Sequence, residues 1–79
     1  MSFYLANATG SLNNQYVADI CRGECYIGRV IVETAPDSQR VLVRIDGRER
    51  FERRYGAGKR ISLDGVYHLV NDLTTGRPE

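Results

Sequence analysis

Residues Arg40 to Val70 read RVLVRIDGRERFERRYGAGKRISLDGVYHLV, and this stretch decides the fold class. Val41, Val43 and Ile45 alternate with Leu42 and Arg44, the period of two expected of a strand with one buried face. Asp46-Gly47 follows, a dipeptide that tolerates positive φ and is a strong hairpin signal. RERFERRY then alternates again. Glu49, Phe51, Arg53 and Tyr55 share one parity, and Arg48, Arg50 and Arg54 share the other. A two-residue loop at Asp46-Gly47 sets Val43 opposite Arg50 and Val41 opposite Glu52, with charge on the core face. A three-residue loop, Ile45-Asp46-Gly47 with Gly47 in the left-handed region, sets Val41 opposite Phe51. A one-residue slip flips a whole strand, so the burial pattern selects the bulged three-residue turn.

Downstream, Gly56-Ala57-Gly58 is a flexible connection. Lys59 to Leu63 and Val66 to Val70 read as two more short strands, broken at Asp64-Gly65. Asn71 to Glu79 is a polar tail. Upstream, Ala35-Pro36-Asp37-Ser38 is a turn with proline at a permitted position. Glu24 to Glu33, ECYIGRVIVE, is β-branched and aromatic and reads as a strand. Gly28 in its middle points to a bulge, a sharp bend or a close approach by another backbone. Ser11 to Arg22 has two readings. As a helix, Leu12, Tyr16 and Ile20 form a stripe with Val17 and Cys21, Ser11 caps it and Gly23 ends it. As a strand, Tyr16, Ala18 and Ile20 alternate with Val17, Asp19 and Cys21, and Asn13-Asn14 is a turn. The helix reading is carried forward. Phe3 and Leu5 fit an edge strand or tuck onto the core. The expected core is Val41, Val43, Ile45, Ile31, Ile61, Leu63 and Leu69.

At 79 residues this is one domain (1–79) with a modest core, a size that favours homo-oligomer formation. An apolar content of 42 % argues against disorder. No apolar run approaches membrane-spanning length, and the N-terminus lacks the basic-then-apolar pattern of a secretory leader. A cytoplasmic location, without membrane partners, is the expectation. Net charge is only +1, too little for a general attraction to polyanions. Its distribution is uneven: Arg40, Arg44, Arg48, Arg50, Arg53, Arg54, Lys59 and Arg60 stand against Asp46, Glu49 and Glu52, a local net +5. Arginine's planar fork suits bidentate contacts to phosphate, carboxylate or base edges. Arginine in place of lysine is also what a GC-rich genome encodes.

Cys21 and Cys25 are spaced C-x3-C and, with the single His68, are too few soft ligands for a zinc site in one chain. Free buried thiols are expected, with a local disulfide or an intersubunit metal site as alternatives. Ser62, Asp64 and His68 lie close in sequence, but nothing resembles a strained nucleophile turn, and His68 alternates as an ordinary strand residue. The glycines form neither a phosphate loop nor a dinucleotide fingerprint. A non-enzymatic protein without a cofactor is expected.

Dense short strands in so few residues favour a mostly β fold, a small antiparallel β-barrel or bent sheet, with one short N-terminal helix. This helix-then-strands layout over residues 11–70 resembles the small SH3-like and Sm-like barrels. A second resemblance is local. Arg50-x3-Arg54 (RFERR) and Ser62-x2-Gly65 (SLDG) are similar to the two motifs of PilZ domains, which implies cyclic-dinucleotide binding through arginines and a turn. Arg60 stands two before the serine, where that family carries an acidic or amide residue.

The leading expectation for function is a binding module for RNA or DNA phosphate. Its contacts are Arg44, Arg48, Arg50, Arg53, Arg54, Lys59 and Arg60. Arg48, Arg50 and Arg54 would stand in one exposed row that Arg44 extends, and Tyr26, Tyr55 or Tyr67 would stack on bases. The alternative is a protein-interaction module, an adaptor or inhibitor of phage or plasmid type, that turns the same arginines on an acidic partner. The bland counterpart is a solvated strand face held by cross-strand Arg–Glu pairs.

Overall fold

A computed structural model describes residues 3–56 and 58–75. Five strands run β1 (Tyr4–Gly10), β2 (Gln15–Arg22), β3 (Cys25–Ala35), β4 (Ser38–Ile45) and β5 (Arg48–Gly56), followed by one helix, α1 (Leu63–Thr75). All four pairings are antiparallel and join neighbours in sequence, giving the order β1-β2-β3-β4-β5. The sheet is not closed, and β1 and β5 are its two edges. The mostly β antiparallel expectation holds, as an open sheet rather than a barrel.

The helix stands at the other end of the chain from the one expected. Residues 15–22 are strand because only alternation puts Ala18 and Ile20 against Val30 and Gly28 of β3, and both are buried. Their helical stripe lost to this tertiary pairing. The preceding turn closes as the strand reading requires, with the Asn14 amide donating to the Ser11 carbonyl at 3.1 Å. Conversely, Val66 to Val70 is helical. Val66, Leu69, Val70 and Leu73 recur at helical spacing, and Val66 and Val70 are fully buried. Burying a valine side chain is worth about 1.5–3 kcal/mol relative to leaving it in water. Ser62 caps the helix, its Oγ accepting from the Gly65 amide at 3.1 Å, and Asp64 sits favourably in the first turn. The β-branched character of this segment hid that pattern. Residues 71–75 continue the helix instead of starting a tail, and 76–79 lie outside the described residues.

The helix covers one face of the sheet. Ala18, Ile20, Val30, Val32, Val41, Val43 and Ile45 line that face and form the core with Val66 and Val70. Of the expected core, Val41, Val43 and Ile45 are buried. Ile31 is half-buried on the opposite face, Ile61 and Leu69 are half-buried, and Leu63 is exposed at the start of α1. A buried amide ties the helix approach to the sheet. Gln39 donates from Nε2 to Thr34 Oγ1 (3.1 Å) and accepts at Oε1 from the Ile61 amide (2.8 Å). Arg60 adds a second tie, donating from Nη2 to the Ala35 and Pro36 carbonyls (3.0 and 3.2 Å).

Three bulges bend the sheet. Each inserts one unpaired residue and locally increases twist. In β1 the extra residue falls between Ala6 and Thr9, at Asn7 with φ 54°. In β3 it is Ile27, beside Gly28, where a Cβ would run into the Arg44 carbonyl. Bulge and close approach, both anticipated for Gly28, meet at one point. In β5 the extra residue is Arg50.

Candidate functional site

The β4–β5 hairpin takes the two-residue turn at Asp46-Gly47 rather than the expected three-residue one, and its register beyond the turn matches neither of the two anticipated. Asp46 and Gly47 form a two-residue turn with φ 55° and 76°, the primed geometry that matches strand twist. Arg44 therefore pairs with Glu49, and Ile45 with Arg48. The slip comes one step later. Arg50 bulges out, and Phe51 falls opposite Val43, Arg53 opposite Val41 and Tyr55 opposite Gln39. Burial governed the register as argued, but through a bulge in the strand rather than a longer turn.

This bulge sorts the charges of β5. Glu49 and Glu52, opposite Arg44 and Leu42, lie on the open face, and so does Arg54, opposite Arg40. Arg48, Phe51, Arg53 and Tyr55 share the helix-bearing face, with no acidic residue of β5 among them. The expected row of Arg48, Arg50 and Arg54 does not form, because the bulge puts Arg54 on the face opposite Arg48. Arg44 belongs to the open face with Arg54.

The open face is where the cross-strand pairs lie. Arg40 donates from Nε to Glu52 at 2.8 Å and lies 3.6 Å from Glu33. The Arg40 hydrogen bond, then a hydrogen bond with Glu49, holds the Glu52 carboxyl below its usual range. Asp19 bridges three strands, accepting from Asn7 Nδ2 (3.0 Å) and Arg29 Nε (3.2 Å). Its carboxyl is held low by the Asn7 bond first and Arg29 next. A depression of about 310 Å³ on this side is lined by Glu33, Thr34, Arg40 and Arg54, and its Arg40 is already neutralised.

On the helix-bearing face the Arg53 guanidinium sits 6.0 Å from the Phe51 ring centre and 5.9 Å from that of Tyr55. Both rings are half-buried. Such cation–π contacts are worth about 0.5–1 kcal/mol at exposed sites. Among the described residues, Arg44, Arg48, Arg50, Arg53, Arg54 and Lys59 make no ion pair within 4.0 Å. Arg60 is occupied by its two carbonyls.

The remaining candidates fall elsewhere. Tyr26 is exposed in β3 and Tyr67 on α1, where it packs against Phe3 at 5.7 Å; neither adjoins β5 in register. Ser62 and Gly65 of the SLDG fragment form the helix cap, and His68 is exposed on α1. Cys21 pairs with Tyr26 and Arg22 with Cys25, so the two thiols leave opposite sides of the hairpin. Both are free. Cys25 is exposed and Cys21 half-buried, rather than both buried. Among the described residues no helix is long and apolar enough to cross a membrane. Sequence reasoning missed Arg22, whose Nη2 donates to the Thr74 carbonyl at 3.2 Å; its membership of a cavity depends on α1, which was misplaced. Comparison with protein-family models, curated proteins and solved structures finds no match for this chain.

Proposed function

We propose that this is a non-enzymatic, cytoplasmic binding module for single-stranded nucleic acid, and that β5 is its track. The observation that supports this is the sorting of charge along β5. Arg48 and Arg53 stand beside Phe51 and Tyr55 on one face, in no ion pair among the described residues, while the strand's acids face away. Arg50 leaves the strand between them at the bulge. Guanidinium groups neutralise phosphates, and half-buried rings flanked by cations offer stacking surface to unpaired bases. Duplexes keep their bases out of reach of such rings, which favours single strands.

Fluorescence anisotropy with a labelled oligonucleotide, titrated over salt, tests this. Replacing Arg48, Arg50 and Arg53 together with Ala is expected to weaken binding to all sequences alike. The log–log salt slope should flatten by about 2 units, at roughly 0.7 per phosphate contact for single strands. The companion triple Arg40, Arg44 and Arg54 to Ala, on the open face, should change the slope far less. Absence of affinity at low salt would overturn the proposal. A second reading, an acidic protein partner, is favoured by β5 being an edge strand with unpaired backbone groups. Failure to bind any oligonucleotide, with saturable binding of an extended acidic peptide, would select it. Self-association through the two open edges belongs to the same proposal, and light scattering that shows a monomer at high concentration would remove it.

A further inference from the structure

Two of the three bulges deliver their extra residue to the same place. Ile27 of β3 and Arg50 of β5 line a cavity of about 210 Å³ between the β4–β5 turn and the C-terminal end of α1. Arg22, Ile45, Asp46, Leu73 and Thr74 complete it. Bulges re-aim side chains, and here they bring one cation and one aliphatic side chain to a common point.

The chemistry of the lining has three parts. Arg22 and Arg50 supply two guanidinium groups, neither in an ion pair among the described residues. Arg22 is half-buried, and its hydrogen bond is to the uncharged Thr74 carbonyl at 3.2 Å. Ile27, Ile45 and Leu73 supply an apolar wall. Asp46 leaves the lining with a net charge of +1 and opposes a dianion. We infer that this cavity binds a small organic carboxylate with an aliphatic or aromatic body. The carboxylate meets the arginines, whose fork matches its two oxygens. The body covers the apolar wall. Inorganic phosphate, with more charge and no apolar part, fits worse.

The inference does not rest on the nucleic-acid reading, and one variant separates the two. Arg53 lies outside the cavity lining, so Arg53→Ala should impair the oligonucleotide track and leave carboxylate binding unchanged. The experiment is an NMR titration of the labelled protein with 4-methylpentanoate and phenylacetate, against acetate and inorganic phosphate at equal ionic strength. Saturable amide shifts confined to residues around 22, 27, 45, 50 and 73 are expected. Arg50→Ala should weaken binding at least about tenfold, the loss of one charge-assisted contact. Arg22 ties down the helix end, so Arg22→Lys is used in place of Ala, with the fold checked by the same spectra. A tripeptide ending in leucine, compared with its C-terminal amide, distinguishes a free acid from a chain terminus as the source of the carboxylate. Binding of the free acid with or without the peptide supports the site. No saturable shift up to tens of millimolar overturns it. So does acetate or phosphate binding as tightly, or affinity that survives Arg50→Ala.

Discussion

β1 and β5 are the two edges of one sheet and are built by opposite means. β1, YLANATG, has no charged residue, whereas β5, RERFERRYG, is charged at six of its nine positions. Each carries a bulge. The one in β1 is locked: Asn7 sits at φ 54° and hydrogen-bonds Asp19, which also holds Arg29. Gly10 ends that strand at φ 79°, where a Cβ would collide with the Gln15 carbonyl. At the β5 bulge Arg50 is in no ion pair among the described residues, and Gly56 at the strand's end has open space around it. Edge strands invite pairing by other chains, and proteins resist this with shape or with charge. Here β1 uses shape and β5 uses charge. Shape fixes the backbone, while charge leaves it available to a ligand of the right sign.

The sharpest way to break this comparison is to add the same side chain at both strand ends. Gly10→Val should cost about 2–4 kcal/mol in urea unfolding, since it combines positive φ with a backbone collision. Gly56→Val should stay within about 0.5 kcal/mol. Equal effects would mean that the two edges are not differently constrained. Next in size is Asn7→Ala, expected to cost about 1–2 kcal/mol through the left-handed backbone and the lost bond to Asp19. Asn7→Gly should recover the backbone share alone. On β5, Arg53→Ala should lower stability by no more than about 1 kcal/mol, its cation–π share, while reducing oligonucleotide affinity.

The smallest effect is a pH dependence. Asp19 and Glu52 are both held below the usual carboxyl range in the folded state, by Asn7 and by Arg40 respectively. Their contribution is present above the unfolded carboxyl pKa of about 4 and is lost as pH falls through the lower folded values. Melting temperature should therefore fall on acidification below about pH 4, and Asp19→Asn should remove only the β1 share of that fall. A melting curve flat down to pH 2 would show that these exposed bonds carry no net stability.

The strands from Cys25 to Gly56 were legible because alternation, Asp46-Gly47 and the Pro36 turn are local signals. Val66 to Val70 was not, because β-branched residues at helical spacing satisfy both readings, and the sheet that buries Val66 and Val70 is assembled from distant residues. Residues 15–22 failed for the mirror-image reason. The arginine cluster was visible as composition. Its division between two faces was not, because a single bulge at Arg50 changes the parity of everything after it. Nothing local in RERFERRY distinguishes a bulged residue from its neighbours; the requirement comes from Val43, across the hairpin.

Every ladder in the sheet joins strands that follow one another along the chain, through short turns at residues 11–14, Gly23, Pro36 and Asp46. Closing such short loops costs little entropy, so each hairpin can form beside the last without waiting for a distant partner. The helix has no such freedom. Val66 and Val70 bury against residues of β2, β3 and β4 together, and the chain approaching them is held by Gln39 and Arg60. The sheet can therefore assemble before α1 docks, and α1 can leave without breaking a single ladder. Native-state amide exchange should then show α1 opening at a lower free energy than β3, the central strand of the meander.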